Sequence, residues 1–176
     1  MLVGKKLILR PLEREDLLLV SEWRNNPTIR PHFFTPYPIM RSKQERWYET
    51  YISRGDSMIF LIVPKDQGSP IGMIGLDHID HQNQKAEFGR LLIADISQHK
   101  KGYAHDATLT LLNYAFFDLN INRVYLRVYA DNERAIGLYQ RCGFKQEGVE
   151  RDAIFARGLF RDVTWMAILR REFIKK

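Results

Sequence analysis

In the stretch NERAIGLYQRCGF, Asn132, Ala135 and Tyr139 are spaced so that a helix brings a carboxamide, a small side chain and a phenol to one face. That set can do chemistry. A phenol with the ordinary pKa of about 10 stays protonated at neutral pH and can give its proton to a leaving group. Upstream, QHKKGYAHDA at residues 98–107 puts Lys100 and Lys101 directly before Gly102, and Tyr103 and Ala104 open an apolar, helix-like run. Unpaired N–H groups at a helix start, a glycine that lets an anion approach them and two cations together suit a pyrophosphate. Each stretch also has an ordinary reading. Tyr139 suits a core tyrosine whose hydroxyl finds a partner, Asn132 an N-cap, and the lysines a solvated turn.

The elements that would position these residues are legible along the chain. Residues 5–11 alternate as a first strand, and EREDLLLVSEWRNN reads as a helix with Leu17, Val20 and Trp23 on its apolar side. PTIRPHFFTPYPI is proline-punctuated loop. RSKQERWYETYISR is a second helix, with Ser42 as N-cap and Glu45 completing a capping box. Strands follow in SMIFLIVPK, PIGMIGLDHID and KAEFGRLLIAD, then a long helix over 102–118. NRVYLRVYA alternates, with Val124, Leu126 and Val128 on one face; the Asn132–Gly143 helix comes next, then two strands around the turn ARGLF. The order is β–α–α–β–β–β–α–β–α–β–β. This is an α+β chain whose sheet is mostly antiparallel, except where the long helix crosses between two strands and makes them parallel.

At 176 residues and 45% hydrophobic, the chain is expected to be a single domain over 1–176 with a full core, which excludes a disordered chain. No apolar run suits a membrane span, no signal peptide is evident, and the single cysteine, Cys142, excludes an internal disulfide framework. A cytoplasmic protein is expected. The net charge of +6 suits anionic partners, but the basic residues are interleaved with acids and form no nucleic-acid motif.

The pair HKKGYA and DNERAIGLYQRCGF resembles the GNAT superfamily of N-acetyltransferases. The pattern N-x-x-A-x-x-L-Y-x-x-x-G-F is met at Asn132, Ala135, Leu138, Tyr139, Gly143 and Phe144. The element order matches that fold, so the likeness covers nearly the whole chain. YLRVYADNERAIGLYQRCGFKQEG and GLFRDVTWMAIL resemble the branch of spermidine and ribosomal-protein N-terminal acetyltransferases, and WRNNPTIR resembles its amino-sugar acetyltransferases. The resemblance implies acetyl-coenzyme A as donor and no metal. It assigns cofactor binding to Leu91, Leu92 and Ile93, to the loop His99, Lys100, Lys101, Gly102, Tyr103 and Ala104, and to Asn132 and Ala135. The strand at 91–93 should hydrogen-bond the pantetheine arm, in a splayed opening from the strand at 123–130. His99 stands where the family has Gln or Arg, and Gln98 comes one place earlier. Branch relatives include dimers and rings, so a homo-oligomer is expected.

Tyr139 is then the candidate acid for the leaving thiolate, and Glu87 the candidate base, with a solvent-facing strand-edge glutamate as the alternative. Asp77, His78, Asp80 and His81 fit no ligand spacing and read as a polar turn; Cys142 reads as packing and His105 as helix surface. The acceptor is a small-molecule or peptide amine: a protein N-terminus, a nucleotide-linked amino sugar or a polyamine. Gly75 stands where spermidine enzymes carry glutamate, which weighs against the polyamine. Trp23, Phe33, Phe34, Tyr37 and Trp47 form either an acceptor wall or local core. Arg24, Arg30 and Arg41 suit an anionic acceptor. An inactive acyl-CoA sensor is the alternative to an enzyme.

Overall fold

Val124, Leu126 and Val128 alternate in sequence, and all three are buried on one face of β6 (Arg123–Tyr129). β3 (Met58–Pro64) is apolar throughout because both of its faces are covered. The other strands are β1 (Leu2–Val3), β2 (Leu7–Pro11), β4 (Gly72–Asp80), β5 (Lys85–Ile93), β7 (Lys145–Ala156) and β8 (Leu159–Leu169). The computed structural model describes residues 1–35 and 37–173. Among these the strands form one sheet in the order β1-β2-β3-β4-β5-β6-β8-β7. Every neighbouring pair is antiparallel except β5 and β6.

The two faces of β3 show how the layers divide. Phe60 and Ile62 point to the same side as Ile74 and Leu76 and pack under α3 (Tyr103–Phe117), through Leu111, Leu112, Ala115 and Phe116. Ile59 and Leu61 point to the other side and meet Leu17 and Val20 of α1 (Leu17–Asn25) and Tyr48 of α2 (Arg41–Arg54). α4 (Glu133–Cys142) follows β6, and α5 (Arg170–Phe173) follows β8. α3 crosses from β5 to β6, which is why that pair is parallel. Among the described residues, no helix is long and apolar enough to cross a membrane.

The expected order of elements is present, with the short α5 added after the last strand and two further differences. The short β1 pairs with β2 through Leu2–Leu9 and Val3–Ile8, and two residues carry too little periodicity to be read in advance. The capping box at Ser42 and Glu45 does not form. The extended Met40 is the N-cap, and its carbonyl accepts from the N–H groups of Lys43 and Gln44 (both 3.0 Å), so Ser42 lies inside α2. Glu45 instead pairs with Arg14 at 3.0 Å.

β4 and β5 approach closely at Gly72, where a Cβ would sit 1.9 Å from the Leu92 carbonyl oxygen. Gly72→Ala should therefore lower unfolding free energy by about 3 kcal/mol, read by urea denaturation. A stability change under about 1 kcal/mol would show that the strands can part at this point.

Candidate active site

Parallel pairing between β5 and β6 covers Lys85–Arg123, Ala86–Val124 and Glu87–Tyr125 and then stops. β5 continues to Ile93 bonded to β4 alone, and β6 continues to Tyr129 bonded to β8 alone. The strands splay, and a cleft of about 760 Å³ opens between them. Along it, the backbone edge of β5 that faces β6 has no strand partner. Such an edge requires an extended ligand or water to satisfy it.

Leu91, Leu92 and Ile93 line this edge. A bulge precedes them: Met73 pairs with Leu92 and Gly75 with Gly89, leaving one extra residue on β5, and Arg90 takes φ of 59° to absorb it. At the far end of the edge, the His99 ring N–H donates to the Ile93 carbonyl (3.0 Å). His99 therefore ties the loop to β5. Lys100 makes a left-handed turn (φ 63°), and Gly102 is left-handed as well (φ 88°).

α3 starts here. Its first helical bond runs from Asp106 N–H to the Gly102 carbonyl (3.0 Å), so the N–H groups of Tyr103, Ala104 and His105 have no carbonyl one turn back. These amides, with Lys100 beside them, could seat an anion as a cradle, and Gly102, Tyr103, Ala104 and His105 all line the cleft. His105 is thus part of the site rather than plain helix surface. Lys101 does not line it. Its ammonium turns back to the Gln98 side-chain oxygen (3.0 Å).

Two residues of the cradle were invisible in the sequence because their partners lie about a hundred positions away. Lys6 donates to the Lys101 carbonyl (2.9 Å), and its ammonium comes within 3.4 Å of where a Gly102 Cβ would sit. Asp106 is buried, and its carboxylate accepts from the backbone N–H groups of Lys5 (3.1 Å) and Lys6 (2.7 Å). That fastens the first turn of α3 to the β1–β2 connection.

α4 closes the cleft on the β6 side, with Asn132, Ala135, Leu138 and Tyr139 on its wall. Asn132 is a true N-cap, its side-chain oxygen accepting from Ala135 N–H at 3.2 Å. The Tyr139 ring is held edge-on by Phe88 (5.7 Å, 78°) and Phe144 (5.9 Å, 64°). Burial, with the Cys142 thiol second, pushes its phenol well above the ordinary value, so it stays protonated. Cys142 itself is buried in the core.

Glu87 stands where the strands part, its side chain 18% exposed. One carboxylate oxygen meets His78 Nδ1 at 2.9 Å and the other Arg127 Nε at 3.4 Å. His78 is therefore not in a free polar turn. It lies on β4, turned by a left-handed φ of 51° within an irregularity between Asp77 and Asp80. Asp77 is held by Arg90 at 2.7 and 3.0 Å. Among the described residues, no group of three ligand-type side chains could hold a metal. The aromatic set divides. Phe33 and Phe34 line the cleft, Trp23 and Trp47 pack into the core under α1 and α2, and Tyr37 is exposed.

The sequence model described as Acetyltransferase (GNAT) domain matches residues 6–145. The chain belongs to the GNAT acetyltransferase family. It is an N-acetyltransferase, and enzymes of this family use acetyl-CoA. It is 33% identical to a spermidine N(1)-acetyltransferase of Vibrio cholerae over 99% of each chain. It is 31% identical to the Escherichia coli enzyme of that name, over 94% of this chain and 87% of that one. The crystal structure of the Vibrio cholerae enzyme in complex with CoA and spermine superposes with a TM-score of 0.89, at 30% identity, covering 97% of this chain and 99% of that one. In this acetyltransferase, Gly102→Val would strain a left-handed position and crowd the cradle. CoA affinity, measured by calorimetry, should fall at least about tenfold, and unchanged affinity would show that the loop is not the phosphate seat.

Proposed function

We propose that the chain moves an acetyl group from acetyl-CoA to a primary amine by direct attack in a ternary complex. The observation that carries this is the splay at Glu87 and Tyr125, which leaves an unsatisfied strand edge between a helix-start cradle and a protonated, cleft-lining Tyr139. The residues fit the donor. The α3 amides, Lys100 and the side-chain-free Gly102 suit its phosphates, and the open edge of Leu91–Ile93 suits its amide-bearing arm. Bound there, acetyl-CoA supplies the thioester.

The chain's own residues then divide the work. Glu87, with His78 beside it, takes the proton that the amine must lose for nitrogen to attack the thioester carbon. A β5 backbone N–H after the bulge donates to the carbonyl oxygen as it becomes negative. Tyr139 gives its proton to sulfur as the C–S bond breaks. Phe88 and Phe144 fix the ring that carries it, and burial keeps that proton in place, so ionisation of Tyr139 causes no loss of rate below about pH 10. The buried Cys142 thiol is in keeping with a cytoplasmic enzyme. The hairpin tip with Phe155 and Phe160 exposed is the surface we assign to self-association.

The relatives named for spermidine raise the polyamine as a second reading, but the site speaks against it. The acids of the cleft wall, Asp77 and Glu87, are both engaged by arginines. At Gly75 a Cβ would sit 2.9 Å from the Met58 carbonyl oxygen, so a glutamate there would force the strand backbone to shift. Three of the acids near α1 and α2 are also taken: Asp16 by Arg10, and Glu45 and Glu49 by Arg14.

Tyr139→Phe should reduce kcat about a hundredfold while CoA affinity stays within about threefold; undiminished kcat would remove Tyr139 from this role. Glu87→Gln should displace the acid limb of the pH–rate profile, and a superimposable profile would assign the base elsewhere.

A further inference from the structure

Arg24, on the last turn of α1, stands behind the cleft wall against Phe33, and it differs from Arg10, Arg90 and Arg127. Arg90 has Asp77, Arg127 has Glu87 and Arg10 has Asp16. Arg24 has no acid partner among the described residues, and its buried Nε makes no hydrogen bond. Its guanidinium lies over the Phe33 ring, 4.7 Å from the centroid. The charge that acts on it is the like charge of Arg90, and burial together with that neighbour depresses its pKa to about 10. Phe33 and Arg90 both line the cleft, at the end where Glu87 waits and away from the α3 cradle. Arg90 uses Nε and Nη2 on Asp77, which leaves Nη1 unengaged.

An unpaired, half-buried cation is costly, and chains retain such a group where a ligand brings the opposite charge. The Asn25 side chain clasps the Ile39 backbone through both of its polar atoms (2.9 and 2.7 Å), fastening the loop that carries Phe33 across the end of α1. Gly75 contributes to the same corner, because the Arg90 side chain lies 3.4 Å from where a Cβ would stand.

We infer that the acceptor amine carries an anionic oxygen group, a carboxylate or a phosphate, which is received by Arg24 together with the free Nη1 of Arg90 beneath Phe33. The inference rests on the acetyl-transfer reading above and names its substrate class. Charge-assisted bonds to a guanidinium fork would then discriminate acceptors by tail charge while the amine end is presented to Glu87.

The test is acetyl-CoA-dependent thiol release with four amines of graded tail charge: phosphoethanolamine, β-alanine, ethanolamine and spermidine. The expected result is a kcat/KM for one of the two anionic amines about 10- to 100-fold above that for ethanolamine. Which of the two leads tells phosphate from carboxylate. In Arg24→Met that ratio should collapse toward one, while the melting temperature does not fall, because an uncompensated charge has been removed. Arg24→Lys should keep part of the ratio. Ethanolamine or spermidine turning over as well as both anionic amines would overturn the inference and leave acetyl transfer standing. An Arg24→Met protein that melts lower and keeps its ratio would make Arg24 a structural residue and overturn it too. No thiol release with any of the four would sink the reading of small-amine acetyl transfer, and the inference with it.

Discussion

The structure depends on an interaction that stops. β5 and β6 are parallel partners for three pairs, Lys85–Arg123 to Glu87–Tyr125, and then part. Inside a sheet, each strand edge normally satisfies its neighbour, and an unsatisfied inner edge is expensive. Here the cost is tolerated because the edge forms one wall of a cleft in which an extended ligand can take the missing strand's place. The bulge at Arg90 and the left-handed Lys100 are local strains beside this gap, and Gly102 takes the left-handed region freely because it has no Cβ. They turn the backbone away from regular pairing so that its N–H groups face a guest.

The rest of the fold holds that gap open. α3 bridges the two strands and is fastened to the β1–β2 connection through Asp106. His99 binds the Ile93 carbonyl and fixes the loop at the end of the open edge. Phe88, Phe144 and Tyr139 form an aromatic cluster on the α4 side, so the phenol is positioned by the same strand whose edge is open. Gly72 lets β4 press against β5 at Leu92, which backs the open edge with a firm neighbour.

Much of this was legible in the chain, for identifiable reasons. The alternation of Val124, Leu126 and Val128 and the continuous apolar run of β3 are direct consequences of one-sided and two-sided burial. Asn132, Ala135 and Tyr139 share a helix face by spacing alone, and the structure places all three on the cleft wall. What stayed hidden depends on distant partners. Lys6 and Asp106 meet across about a hundred residues, and nothing near either predicts the other. His78 lay in what looked like a polar turn because a strand irregularity breaks its period, yet that irregularity brings it to Glu87. Ser42 had the right spacing for a capping box, but the extended approach through Met40 starts the helix earlier. Lys101 has a charge suited to the cradle, and its neighbour Gln98 draws it away.

The central claim is that the unpaired edge of β5 is where the donor's arm binds. Backbone amide hydrogen exchange over residues 88–93, with and without saturating CoA, tests it most directly. The account predicts strong slowing at amides facing β6 when CoA is added, with the β4-bonded amides of the same strand already slow in its absence. Exchange at 88–93 that is unchanged by CoA, under conditions where calorimetry shows CoA bound, would contradict it and place the donor elsewhere on the protein.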